Sequence, residues 1–328
     1  MEFILILSIL FIIQFTLFRF MPIYRLNLKS QLYDYAKWVK KNPKVLVMGS
    51  SHARSQIIPE IIAKSSSKYT YEEIFNIGAD AASPFSMYIT YIKNYEKFKN
   101  VEIVYYTLDP HMLGEKYYLY TKFEKVFLSF KQWKYFTKYH KNYLKKHHQE
   151  TNKYFFPSII FFKSLEFNRP IFSGRNNGYA PQHHQPFKKI KPNLIAKYIY
   201  EPLTIFPVSK FEIQYLAKLK NLLLKDNKKL VFVLTPSYSW SKFYKKEAIE
   251  YDSQLINLLN KEVGESVIIG SLFGADFNLD FKDYKDDTHL AHSGAIKYTQ
   301  QLFKNIDHHY LLTPKKFKSL FMYRFKDL

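Results

Sequence analysis

The chain has 328 residues, 47% of them hydrophobic, no cysteine and a formal net charge of +21. That length and apolar content suit one large core, an α/β domain with an insertion, while the missing cysteines exclude disulfides, thiolate metal sites and a cysteine nucleophile. The charge favours a polyanion or an anionic membrane surface but disfavours nucleic acid, because the lysines are scattered among Tyr and Phe and no zinc-finger, RRM or helix-turn-helix signature is present.

Residues 3–18 form an apolar run broken only by Ser8, Gln14 and Thr16. Its length approaches what a bilayer requires, so residues 1–24 are predicted to be a single transmembrane helix that anchors the chain. A cleaved signal peptide fits less well, since no basic segment precedes the run and no small-x-small site follows it. Arg19, Arg25 and Lys29 follow the run, which taken literally keeps the domain in the cytoplasm; long domains are often translocated despite such a bias. Residues 25–43 carry Leu28, Leu32, Ala36 and Val39 at helical spacing and end at Asn42-Pro43, which predicts a juxtamembrane helix and linker.

From residue 44 the pattern changes. Short continuous apolar runs at 44–48, 73–77, 101–108, 229–236 and 266–269 predict strands covered on both faces. Helical periodicity after Ser51, with Ile57, Ile58, Ile61 and Ile62 inward, and over 84–98, 209–224, 246–259 and 293–303 alternates with them. Five strands alternating with helices predict an α/β fold. The expected form is a three-layer α/β/α sandwich over 44–310, with a flavodoxin-like, doubly wound, mostly parallel sheet and active groups at the carboxyl ends of its strands.

Residues 111–205 break the rhythm. They hold 17 Lys and Arg against 5 Asp and Glu, and are dense in Tyr, Phe and His. The spacing of Tyr117, Tyr120, Phe123, Phe127, Phe130 and Trp133 predicts a mainly helical insertion that packs on the core; a lid or an acceptor surface is the sharper alternative. Residues 311–328 form a basic C-terminal tail.

Two segments carry reactive groups. Gly49-Ser50-Ser51-His52 follows the first strand, so a serine hydroxyl would sit at a strand-to-helix turn, beside the N–H groups of a helix N-terminus. Ser51 is the predicted nucleophile, with Ser50 a competing hydroxyl; the same sequence is also ordinary helix-cap sequence. Asp286-Asp287-Thr288-His289-Leu290 comes before the last helix. There His289 can serve as base and Asp286, three residues earlier, can hold its imidazole, with Asp287 able to replace Asp286; taken alone, Asp-x-x-His is also a common solvated turn. His292 is assigned to the cap of the last helix. The adjacent histidines His147-His148, His183-His184 and His308-His309 lie in polar, basic stretches without carboxylate spacing, so neither a metal nor a cofactor is expected.

Together these blocks resemble the SGNH (GDSL-like) hydrolase superfamily over residues 44–110 and 207–304. The resemblance implies Ser51 as nucleophile, His289 as base and Asp286 as its partner. It further implies an oxyanion hole from the Ser51 N–H and from Gly78 in Asn76-Ile77-Gly78-Ala79. Ser50, His52, Asp109 and Asp287 are expected to line the site. Two departures stand out: Ser50 replaces the usual Asp, and Thr107-Leu108-Asp109-Pro110 replaces the usual Gly-x-Asn-Asp, where an ionised Asp109 could not donate to an oxyanion.

The Ser-Ser variant, the anchor and the basic domain also resemble the D-alanyl teichoic acid transfer proteins and the membrane-associated SGNH proteins of envelope polysaccharide acylation. That implies a single-pass protein of the bacterial cytoplasmic membrane with an extracytoplasmic domain. It would be a serine esterase or O-acyltransferase acting on a glycan or anionic polymer, working with a membrane-bound acyltransferase. The competing expectation is a non-catalytic relative that binds such a polymer or partner through its basic insertion.

Overall fold

The structure is a computed structural model that describes residues 8–10, 12, 43–79, 82–108, 110–113, 175–181, 209–238, 245–286 and 288–304. The predicted anchor apart from helical residues 8–10 and 12, the juxtamembrane segment up to residue 42, the rest of the insertion and the basic tail lie outside these residues. Among the described residues no helix is long and apolar enough to cross a membrane.

Five strands, β1 (Val45–Met48), β2 (Ile74–Asn76), β3 (Ile103–Leu108), β4 (Lys229–Leu234) and β5 (Val267–Gly270), form one sheet in the order β2-β1-β3-β4-β5. Every pairing is parallel, so the sheet is wholly rather than mostly parallel. The six principal helices among the described residues are α1 (Ser51–Gln56), α2 (Pro59–Lys64), α3 (Pro84–Lys93), α4 (Lys210–Lys225), α5 (Lys245–Glu262) and α6 (His292–Lys304).

Alternation along the strands sorts the core into two layers. Leu46, Met48, Val104, Tyr106 and Phe232 face one side, with Phe85 and Ile89 of α3, Leu216 and Leu219 of α4 and Leu259 of α5. Val45, Val47, Tyr105 and Val233 face the other, with Ala53 of α1, Ile62 of α2 and Tyr298 and Phe303 of α6. Period-two alternation turns successive side chains to opposite faces, and helices on both sides make each strand mainly apolar.

Two predicted helices are shorter than their periodicity suggested. The helix after Ser51 breaks at Ile57-Ile58, because Pro59 begins α2 and its ring drives Ile58 out of the helical region, to φ −102° and ψ 110°. The helix predicted over 84–98 ends at Lys93, where Asn94 takes φ −116° and ψ 20°, and the chain continues as a 3-10 turn over Tyr95–Phe98.

A buried carboxylate ties α3 to α4. Glu212, in the first turn of α4, accepts the Phe85 N–H at 2.6 Å and the Ser83 hydroxyl at 3.3 Å, so it caps α3 from outside that helix. Burial pushes its carboxyl well above the usual range, against the pull of those two donors. Just before α4, the Ser209 N–H donates to the Leu113 carbonyl at 2.7 Å, joining the two ends of the insertion. Its segment 175–181 returns to the scaffold: Asn177 Nδ2 donates to the carbonyls of Tyr71 and Ile74, and the Ala180 N–H donates to the Arg54 carbonyl.

The order of the strands changes direction between β1 and β3, and a crevice opens at the carboxyl ends of strands at such a point. β1 leads into it through Gly49, whose φ is +135°. A side chain there would overlap Thr107 Oγ1 on β3 as well as strain the backbone. Gly49→Ala is therefore expected to cost about 3 kcal/mol or more, by the sum of strain and overpacking. Adding Thr107→Ala should recover only the overlap part; urea unfolding midpoints of the three variants check this.

Candidate active site

The Gly49 turn delivers Ser50 and Ser51 to the start of α1 with different tasks. Ser50 is the N-cap: its Oγ accepts the His52 N–H at 3.2 Å, and the residue is buried. The competing hydroxyl is thus spent on the helix end. Ser51 is the first residue of α1 and is partly exposed, and its Oγ lies 2.7 Å from His289 Nε2. As the first helical residue it has no acceptor for its own N–H within the helix.

His289 comes from a loop closed like a small hairpin. Tyr284 and Leu290 form an antiparallel bridge, and the Lys285 N–H donates to the His289 carbonyl at 2.9 Å. Gln56 Nε2 of α1 donates to the Thr288 carbonyl at 3.2 Å, fastening the loop to the helix that carries Ser51.

Inside the loop Asp286 gathers donors. Its Oδ1 accepts the N–H of Thr288 at 2.9 Å and of His289 at 2.7 Å, and it lies 2.9 Å from His289 Nδ1, with Oδ2 at 3.0 Å. Burial works to raise its carboxyl, yet the His289 side chain and the two backbone N–H groups outweigh it and hold the group well below the usual carboxylate range. An ionised carboxylate only accepts, so Nδ1 carries the proton; Nε2 is then the acceptor for the Ser51 hydroxyl. The arrangement can take a proton from Ser51 and stabilise the imidazolium that results.

The structure therefore brings Ser51, His289 and Asp286 together across 238 residues of sequence. His52 also lies there: its ring meets that of His289 with centroids 4.7 Å apart and planes at 85°. Asp109 and Asp287 lie outside the described residues.

Gly78 requires a correction. Its N–H, expected to face an oxyanion, donates instead to Asn76 Oδ1 at 2.9 Å. The Asn76 amide meanwhile reaches the carbonyls of Ala53 and Ile57 at 2.7 and 3.0 Å, so this buried side chain locks the end of β2 to α1. A Cβ at Gly78 would overlap Ala53 and the Arg54 nitrogen, which makes it a packing glycine under α1. The neighbouring N–H groups of Ile77, Ala79 and Ala82 are engaged too, by the carbonyls of Val47, Gly49 and Ala79.

Four positioning residues escaped the sequence reading. Asn76 ends β2 and Thr235 follows β4, and a polar residue closing an apolar strand is a detectable signal; Gln56 is a buried polar residue on α1, which sequence does not mark. Tyr179 had no such signal. Its hydroxyl, pushed up by burial, pairs with His292 Nδ1 at 2.7 Å, so His292 begins α6 but is held by the insertion.

The chain matches no protein-family model and no curated protein sequence.

Asp286 supplies a pH test. Its folded-state acidity is stronger than that of an unfolded chain, so its contribution to stability is fully present above the ordinary carboxylate value of about 4 and is lost as pH falls toward the lower folded value. Asp286→Asn should be less stable than the parent at pH 7. That gap should narrow below about pH 4, as read from denaturation midpoints across pH.

Proposed function

We propose that this protein is an SGNH-type serine esterase or O-acyltransferase that handles acyl esters through a covalent Ser51 intermediate. The observation that carries the reading is the line from Ser51 Oγ to His289 Nε2 at 2.7 Å and from His289 Nδ1 to Asp286 at 2.9 Å. Ser51 Oγ attacks the ester carbonyl carbon while its proton passes to His289 Nε2; the tetrahedral intermediate collapses, and the same proton leaves with the departing alcohol. Water or a sugar hydroxyl then gives its proton to His289 and attacks the acyl-enzyme, releasing an acid or a new ester with Ser51 restored. The Ser51 N–H, at the start of α1, is the oxyanion donor this geometry favours.

The finer reading follows from the same resemblance. The fold is of the flavodoxin-like doubly wound kind, the apolar run over 1–24 anchors it to the bacterial cytoplasmic membrane, and the domain works on the extracytoplasmic side. The net charge of +21 supports an acceptor that is a cell-envelope glycan or anionic polymer, presented by the basic insertion, with a membrane-bound acyltransferase as donor partner.

The full-length chain in detergent, treated with a fluorophosphonate and measured by intact mass and peptide mapping, should carry one adduct on Ser51. Ser51→Ala should carry none, and Ser50→Ala should still be labelled. His289→Ala should slow labelling by about 10³-fold or more, as removal of a base does in serine enzymes. A folded parent chain that forms no adduct, or forms it elsewhere, would refute the reading.

A further inference from the structure

We propose that His52 is a positioning residue for His289, bracing the imidazole from the α1 and β4 side so that Nε2 stays on the reaction axis after Ser51 has been acylated. The inference rests on the serine-nucleophile reading above. His52 follows the nucleophile directly and is 3% exposed, a depth at which a polar ring needs a partner. Its Nδ1 lies 3.1 Å from Oγ1 of Thr235, a buried residue just past the end of β4. The ring so fixed stands at 85° to that of His289, with centroids 4.7 Å apart, the edge-on arrangement that aromatic rings favour.

The need for such a brace follows from the chemistry. In the free enzyme His289 is held at both nitrogens, by Asp286 at Nδ1 and by the Ser51 hydroxyl at Nε2. Once Ser51 Oγ is an ester oxygen it has no proton to donate, and the restraint at Nε2 is gone. The contacts at Nδ1, with both Asp286 oxygens and with Thr288 Oγ1 at 3.1 Å, fix one nitrogen and leave the Nε2 end of the ring unheld. His52 then stands edge-on against the ring at the step where His289 must meet an incoming water or sugar hydroxyl. Thr235 gives His52 its position: the hydroxyl pairs with Nδ1, and β4 is itself tied to α6 by the Tyr298 hydroxyl, which donates to the Leu234 carbonyl at 2.7 Å.

The test uses the full-length protein and p-nitrophenyl acetate, where the burst reads acylation and the steady state reads deacylation. His52→Ala should slow deacylation by about tenfold or more and acylation by about threefold or less, the range that loss of positioning produces without loss of a reacting group. Thr235→Val should fall between the parent and His52→Ala, Thr235→Ser should restore the parental rates, and the double variant His52→Ala/Thr235→Val should be no worse than His52→Ala. Independently of turnover, the low-field Nδ1–H proton resonance of His289 should exchange with water faster in His52→Ala than in the parent. Equal slowing of both steps, or rates and proton exchange like the parent's, would overturn the inference while leaving the nucleophile in place. If His52→Ala does not fold, Thr235→Val and Thr235→Ser decide alone, with equal rates in the two overturning it. A parent chain that shows no acetyl-enzyme removes the reading and this inference together.

Discussion

A parallel strand and the helix that follows it run in opposite directions, and the chain has to reverse within two residues at the sheet's carboxyl edge. Here the reversal falls on Gly49, where φ is positive and Thr107 of the neighbouring strand leaves no room for a side chain. Several later features depend on that turn. Its carbonyl accepts the Ala79 N–H at 3.0 Å and so fixes the loop after β2. It places Ser50 where its hydroxyl can close the helix end, which leaves Ser51 as the hydroxyl turned toward the crevice. A less abrupt turn would lengthen the connection and lose the hydroxyl's alignment with His289.

The rest of the site is a division of polar work. Asp286 could have drifted toward neutrality in its partly buried loop. The donors that surround it keep it ionised, and that choice of charge dictates the tautomer of His289. The same loop is held from outside by Gln56, from the nucleophile's own helix. Ser51 and His289 thus share one mechanical support, α1. Buried polar groups at the edge, among them Asn76 and Thr235, serve the same end: each joins two elements that would otherwise meet only through apolar contacts.

Much of this was legible beforehand, for a physical reason. Strands buried on both faces are mainly apolar, so the five runs stood out as runs, and Ser51, Asp286 and His289 stood out because a turn and a short loop confine them. What could not be read were interactions set by depth and direction. Nothing in Asn76-Ile77-Gly78 says that the asparagine folds back onto the glycine's N–H, since that depends on how closely α1 approaches β2. The isoleucine periodicity after Ser51 overrode the local signal of Pro59, although a proline at that place should have divided the helix. Tyr179 meets His292 across 113 residues through a segment with no periodic pattern, and no spacing rule reaches that far.

The short bond between the Ser209 N–H and the Leu113 carbonyl has a consequence for how this protein can change over evolutionary time. The insertion leaves and rejoins the scaffold at neighbouring points, and its segment 175–181 meets the scaffold once more between them. Length added between Leu113 and residue 175, or between residue 181 and Ser209, reaches the sheet mainly through the entropy of closing a loop, which grows by about 0.6 kcal/mol for each doubling. Residues can be added to or removed from those two stretches at little cost to the strands, the serine turn or the histidine loop. The sheet and those two stretches would then be free to diversify at different rates.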